Sequence, residues 1–534
     1  MESLVGTWRL IRFNLRRDRI RLAVWIVLLV LVPVATANAI ATLYPDEAAR
    51  QQLATTVNAN PAFLALLGPV YDTSVGGLTA WRIGTIVAFL IGLMAILSVV
   101  RHTRDEEETG RQELLAATVL GRHAPLTAAL AISIGAGLVI AVLLTAGLVS
   151  QGLPLAGSAA YGFGLAAVAA TFAGFGAVAA QLTQNASSAR SIGVAIVGLS
   201  FLLRLAGDAG ESNGISWLSW LSPIGWFTQL RPFAGEEWWI FLLWLGLTAI
   251  LAATAFAISA RRDVGAGAFP PRPGPAFAAR SLSSAFGLSW RLQRGALLGW
   301  LIGLAVLGVV YGAVGDSIGD LLEDTPQIAQ IFEQLGGVQG ITDVFFSTVV
   351  GILALIASAY GIRSVLKLRV EEEASRAEPV LATATRRQPW AASHLIYGLL
   401  GPALILLIAG AVAGATYGAI IGDVANQTGR VLEAAAVQLP AVWVLSGAAM
   451  ALFGLLPEYT GLSWGLLVAC LVFGQLGRIL QFPQWLLDIS PFTHIPLVPA
   501  EDLRILPLAI LTTIALVLVV AGLAGFRRRD LQTP

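Results

Sequence analysis

Three consecutive glutamates, Glu106-Glu107-Glu108, stand in the stretch DEEETGRQELLAATVLGR at residues 105–122. Three more, Glu371-Glu372-Glu373, stand in VEEEASRAEPVLATATRR at residues 370–387. Clustered carboxylates suit a hard cation or acid–base chemistry. Neither fits here. Both stretches are solvated connecting segments without a histidine of their own, and no nucleophile–base set accompanies them. The four histidines (His102, His123, His394, His494) are scattered, and the single cysteine, Cys470, lies in an apolar run. No zinc site follows from that distribution. The only lysine, Lys367, follows Leu366, so the Gly-Lys-[Ser/Thr] of a phosphate-binding loop is missing. No catalytic residue, metal or cofactor is expected on this chain, and any ATP must be hydrolysed by another polypeptide.

The elements around the glutamates are apolar. Of 534 residues, 56% are hydrophobic and 12% charged, about half the charge of a soluble domain. The net charge of +1 gives no sign of a nucleic-acid partner. Apolar runs near 22–41, 83–100, 125–149, 158–181, 191–206 and 238–259 form one set. Runs near 296–314, 344–362, 393–418, 434–455, 462–479 and 506–526 form a second. Each approaches the ~20 residues that cross a bilayer. The expectation is an all-α membrane protein of about twelve spans. The start, with Arg16 to Arg21 before Leu22 to Pro33, has the layout of a signal peptide. A similar segment recurs internally at Arg291, Arg294 and Leu297 to Val310, which favours an uncleaved first span.

Arginine clusters at Arg9–Arg21, Arg101–Arg122, Arg261–Arg294, Arg363–Arg387 and Arg527–Arg529 fall on alternate connections. The positive-inside rule then puts both termini in the cytoplasm. Residues 2–19 place Leu4, Trp8, Ile11 and Leu15 on one helical face and Arg9, Arg12, Arg16 and Arg19 on another. That pattern predicts a helix lying in the headgroup layer against membrane lipid. No clear carboxylate stands in mid-span to couple a proton gradient; Asp208, Glu433 and Glu458 fall near predicted ends, as does Arg204.

The two sets repeat each other. Arg104, Glu106 to Glu108, Arg111, Glu113 and Arg122 align with Arg369, Glu371 to Glu373, Arg376, Glu378 and Arg387. Ser222-Pro223 aligns with Ser490-Pro491, Arg261-Arg262-Asp263 with Arg528-Arg529-Asp530, and Trp25 with Trp300. Matches in the same order indicate a tandem duplication. Two six-span units, 1–263 and 285–534, are expected, related by a pseudo-two-fold axis along the membrane normal. The Pro-rich stretch within 264–284 is the cytoplasmic linker. A short helix is predicted over Asp105–Leu115, its acidic start favoured by the macrodipole, with Leu114 and Leu115 as an apolar edge. Written twice, it reads as a handle for a two-fold symmetric partner. In the ninth run, Gly410, Gly414, Gly418 and Gly422 recur every four residues, a stripe that permits close helix packing.

Glu106 to Thr118 and Glu371 to Thr383, with Gly76-Gly77-Leu78-Thr79-Ala80-Trp81-Arg82, resemble the permease subunits of ABC-2 type exporters. The resemblance is nearest to the actinobacterial polyketide-antibiotic (tetronasin-like) and multidrug group. It implies a bacterial inner-membrane permease working with two copies of a separate ABC ATP-binding subunit, which carries ATP and Mg. It implies a coupling helix in each unit. Glu106, Glu107, Glu108, Arg111, Glu113, Leu114 and Leu115 are then the first set of ATPase contacts. Glu371, Glu372, Glu373, Arg376, Glu378, Pro379 and Leu381 are the second. Pro379, where the first copy has Leu114, is expected to cut the second helix short. The resemblance also implies a central path, lined mainly by the second and fifth spans of each unit, that releases a hydrophobic small molecule outside. Two alternatives remain: a proton-coupled secondary drug transporter, and a non-transporting membrane scaffold for an ATPase.

Overall fold

The computed structural model describes residues 2–58, 63–64, 67–111, 120–209, 216–263, 265–269, 274, 276–323, 337–476 and 483–531. Regular structure among them is helical throughout. The chain divides into two units, Met1–Gly274 and Pro275–Pro534.

In unit 1, α1 (Thr7–Leu43) precedes a short α2 (Glu47–Asn58). Then come α3 (Val75–Glu108), α4 (Ala124–Ser150), α5 (Leu155–Leu182), α6 (Ala186–Ala209) and α7 (Phe241–Arg261). The most apolar windows of α3 and α5 are 61% and 72% buried, against 17% for α1. The core is therefore built on α3 and α5, and α1 presents its apolar surface outward. Leu29, Val87, Ile91, Ile140, Phe172 and Trp244 are among the side chains that fill it.

In unit 2, α8 (Ala285–Glu323), α9 (Gly337–Glu373), a one-turn α10 (Ala377–Leu381), α11 (Arg387–Ile421), α12 (Val424–Leu455), α13 (Leu462–Leu471) and α14 (Ile505–Arg528) follow in order. Here α9 and α12 are the buried pair, each 67% covered.

Eleven helices among the described residues are long and apolar enough to cross a membrane, six in unit 1 and five in unit 2. The expected span at 462–479 is the exception. It is described as the 10-residue α13 followed by a wide π-turn over Val472–Leu476. Gly474 and Gln475 interrupt the apolar run there, and glycine weakens a helix interior; residues 477–482 lie outside the described set.

Two further expectations change. The interfacial helix is not a separate element: residues 7–19 are the first turns of the 37-residue α1, about 55 Å long at 1.5 Å per residue. Its protein-facing side is Leu10, Asn14 and Asp18, spaced four apart. Trp8 and Leu15 remain exposed, as does Leu4 just before the helix. The connection between the runs expected at 296–314 and 344–362 is helical as far as Glu323 and again from Gly337.

The glycine stripe packs α11 on α12. A Cβ on Gly414 would lie 2.6 Å from the Gln427 carbonyl oxygen, and one on Gly418 would lie 2.6 Å from Val424 Cα. Gly422 does a different job. It ends α11 with φ +81°, a conformation that glycine adopts without strain.

Candidate functional site: two triglutamate nodes

The acidic triads do not start helices. Glu106–Glu108 are the last turn of α3, which passes through a π-turn at Arg101–Asp105 and stops at Thr109-Gly110, where Gly110 has φ +71°. Glu371–Glu373 likewise close α9, before Ser375 at φ +53°. The helix predicted to begin at Asp105 is thus the end of the preceding one, and its carboxylates sit at the negative end of the macrodipole. Repulsion there must be offset by cations, and both units supply them.

In unit 1 the side chain of Glu107 is 4% exposed and is held by two arginines. Arg262, just past α7, grips it with Nη1 donating to Oε2 at 2.9 Å and Nη2 to Oε1 at 2.5 Å. Arg104 donates to Oε2 at 2.8 Å. Arg104 also donates from Nε and Nη2 to the Ala180 carbonyl, at 2.8 and 2.5 Å. That carbonyl belongs to the last turn of α5, where a cation is favoured. Glu108 accepts the N–H of Ala186 at 2.8 Å, so a carboxylate caps the start of α6. Asp105 pairs with Arg190 of the same helix. From α1, Arg17 reaches Glu106 at 2.8 Å, and buried Asp18 meets Arg101 at 3.0 Å and His102 at 3.2 Å.

Unit 2 repeats the centre of this arrangement. Glu372, 1% exposed, takes a two-bond grip from Arg529, at 2.6 Å and 2.7 Å. Arg387 donates to the Arg529 carbonyl at 2.7 Å, as Arg122 donates to the Arg262 carbonyl at 2.8 Å. Arg376 lies 3.6 Å from Glu371, as Arg111 lies 3.9 Å from Glu106. Three contacts between residues that align in the repeat are therefore built twice. The surroundings differ. Arg529 stacks on Phe453 and Phe526, with its guanidinium carbon 4.9 and 5.1 Å from the ring centres. Where unit 1 has Asp18, unit 2 has Gln293, hydrogen-bonded to His394 at 3.2 Å and to Ser364.

Of the residues expected to face a partner, Glu107, Glu371 and Glu372 are turned inward. Glu108, Arg111, Glu373, Arg376, Glu378 and Pro379 are exposed, and Glu106 and Leu381 are half-buried. Glu113, Leu114 and Leu115 lie outside the described residues. α10 is a single turn, and Pro379 stands in it after Ala377 and Glu378, where a missing N–H costs little; the matching stretch of unit 1 lies outside the described residues. Arg262 and Arg529 were legible as a repeated Arg-Arg-Asp, but not as partners of the middle glutamates. Asp18, Arg101 and Arg190 carried no repeat signal at all.

Residues 282–527 match the family model described as the multidrug efflux system permease Rv1217c, C-terminal domain. Over its full length the chain is similar to the multidrug efflux system permease protein Rv1217c of Mycobacterium tuberculosis. The identity is 44% over 533 residues, covering 99% of this chain and 96% of the relative. Both names speak of multidrug efflux, the broader of the two expectations, and not of the tetronasin-like subgroup. With eleven apolar helices of spanning length among the described residues and this likeness over both units, the chain is an integral membrane protein of the multidrug efflux system permease family.

Proposed function

We propose that the chain is the permease of an ATP-driven exporter that moves hydrophobic compounds out of the cell, with both termini cytoplasmic in a bacterial inner membrane. Two copies of a separate ATP-binding subunit, carrying ATP and Mg, dock on the arginine-rich ends of the two units. The duplicated node is the observation that carries this reading. The same three contacts are made twice where α3 and α9 end, so each helix terminates in a braced and charged tip. A buried two-bond ion pair transmits a push on that tip into the helix bundle instead of letting it fray. The docking surface itself is the exposed rim: Glu108 and Arg111 in unit 1, and Glu373, Arg376, Glu378 and Pro379 in unit 2. The units rock about a pseudo-two-fold axis along the membrane normal when the ATPase closes, and the cargo follows a central path lined mainly by α3 and α6 in unit 1 and by α9 and the stretch that begins with α13 in unit 2.

The test separates rim from brace. Inside-out vesicles holding this chain and its candidate ATPase are assayed for ATP-dependent drug uptake. Exchanging Arg111 and Glu378 for alanine is expected to abolish ATP-driven uptake and stimulation of the ATPase while insertion stays normal. Uptake that persists without any ATPase and collapses with the proton gradient would put the secondary transporter first. A partner that binds while nothing moves would put the scaffold first.

A further inference from the structure

We infer that the end of unit 1 opposite the triglutamate node holds a binding site for the anionic headgroup of an amphiphile, with Arg231 as its cation. A cleft there is lined by Tyr71, Asp72, Trp81, Phe227, Thr228 and Arg231 among others. Arg231 has φ +51° and Phe233 φ +68°. Non-glycine residues enter this region only when their surroundings impose it, and such strain gathers at binding sites. The guanidinium carbon of Arg231 lies 4.5 Å from the ring centre of Tyr71. Its Nε is buried without a hydrogen-bond acceptor among the described residues, and so is the hydroxyl of Thr228 on the same cleft. Two buried donors left open at one place ask for an acceptor, and a guanidinium is matched best by a carboxylate or a phosphate.

The rest of the lining selects what carries that acceptor. Trp81 spends its indole N–H on the Gly68 carbonyl at 2.9 Å, so it offers the cleft an apolar face. Phe227 adds a second aromatic wall. Asp72 is the one acid in the lining, and it is committed elsewhere: Oδ2 accepts from the Ser74 N–H at 3.2 Å and from the Ser74 hydroxyl. Ser74 in turn caps α3 by accepting from the Gly77 N–H at 3.0 Å. Asp72 Oδ2 is therefore drawn into the helix cap, while Arg231 Nε has no acceptor among the described residues. The floor of the cleft holds about two waters, enough for a headgroup but not for a whole drug. An apolar body would lie along the aromatic walls toward the opening. The occupant is thus an amphiphilic organic anion or an anionic lipid, which present the same chemistry.

The site is tested by binding alone and stands or falls separately from the export reading. The full chain is placed in phosphatidylcholine nanodiscs and titrated calorimetrically, against empty discs, with 1-naphthaleneacetate, its neutral amide and 1-naphthylmethylammonium. The acid is expected to bind at least tenfold tighter than the amide. Arg231→Gln should erase that preference and Arg231→Lys should keep most of it. If discs containing phosphatidylglycerol weaken the acid tenfold, the natural occupant is a lipid. If they do not, it is a soluble amphiphile. Equal binding of acid and amide, tighter binding of the ammonium, or an undiminished preference in Arg231→Gln overturns the proposal. Should Arg231→Gln fail to fold, the ranking of the three probes on the unaltered chain decides.

Discussion

Both nodes close a helix on three glutamates and clamp the middle one with an arginine from the end of the last helix in the unit, yet they are braced differently. Unit 1 surrounds its clamp with charge. Arg104 shares Glu107, Arg17 holds Glu106, and Asp18 gathers Arg101 and His102. Unit 2 surrounds its clamp with aromatic faces and neutral hydrogen bonds: Phe453 and Phe526 on Arg529, Gln293 on His394, and Ser289 with Ser393 at 2.7 Å. The difference separates what the two units share from what they do not. The clamp and the Arg122 and Arg387 contacts behind it are common. The strap from α1 or α8 to the helix that ends in the triad is ionic in one unit and neutral in the other. A buried ion pair can be replaced by well-matched neutral groups at little cost, whereas losing one partner is expensive.

The largest expected effect follows from that asymmetry. Glu107→Ala leaves Arg104 and Arg262 buried without their shared carboxylate, a loss of about 3–5 kcal/mol. Glu372→Ala costs less, because Arg529 keeps its two aromatic faces, each contact worth about 0.5–2 kcal/mol. Thermal unfolding of the detergent-purified variants measures both. Equal losses would mean that the aromatic bracing of unit 2 contributes nothing, and the comparison would fail at its centre.

Much of the architecture was readable from the chain alone because long apolar runs report helices of spanning length and arginine clusters mark where they end. Eleven of the expected spans correspond to helices of spanning length. The failures have local causes. Hydropathy could not see that α13 gives way to a π-turn, since Val472 and Phe473 are as apolar as the residues before them. Acidic runs favour helix starts, so Glu106–Glu108 were read as one. Only tertiary partners, Arg262 above all, explain how they end a helix instead. The clamp was half visible, because both of its members recur in the repeat, but pairing at a separation of 155 or 157 residues is written in no local pattern. The strap at Asp18 was invisible, because the position holds Gln293 in the other unit.

That strap gives the next test. Asp18→Asn keeps the shape but removes the charge that faces Arg101, and is expected to lower stability by about 1–3 kcal/mol. Ser364→Ala, which removes the hydrogen bond from α9 to Gln293 that is the neutral counterpart in unit 2, should cost about 0.5–1.5 kcal/mol. A comparable loss follows from the glycines that let the third and fourth spans of each unit touch. In unit 1 the glycine is on the fourth span: a Cβ on Gly162 of α5 would lie 2.6 Å from the Ala141 carbonyl oxygen. In unit 2 it is on the third: a Cβ on Gly414 of α11 would lie 2.7 Å from Thr428 Cα. Backbone atoms cannot swing aside, so alanine at either position forces the helices apart at about 1–3 kcal/mol. Gly135 of α4 meets nothing within 4 Å and serves as the matched control. A drop at Gly135 as large as at Gly162 would mean that general helix effects, not contact, set the cost.

The smallest effect on stability is expected where the units are most alike. Arg111 and Arg376 lie 3.9 and 3.6 Å from Glu106 and Glu371, and their side chains are 62% and 55% exposed. Exposed pairs at such distances contribute about 0–1 kcal/mol, so alanine at either arginine should leave the melting temperature within error. This is what makes the pair informative. A residue that recurs in both units, touches the same glutamate, stands in solvent and does not stabilise the fold has a reason to be there that lies outside the chain. If the rim is where the ATPase docks, Arg111→Ala and Arg376→Ala lower drug-stimulated ATP hydrolysis together, and the double variant lowers it further. If either melts the protein instead, the arginine belongs to the brace with Arg262 and Arg529, and the docking surface must be sought on Glu108, Glu373 and Glu378.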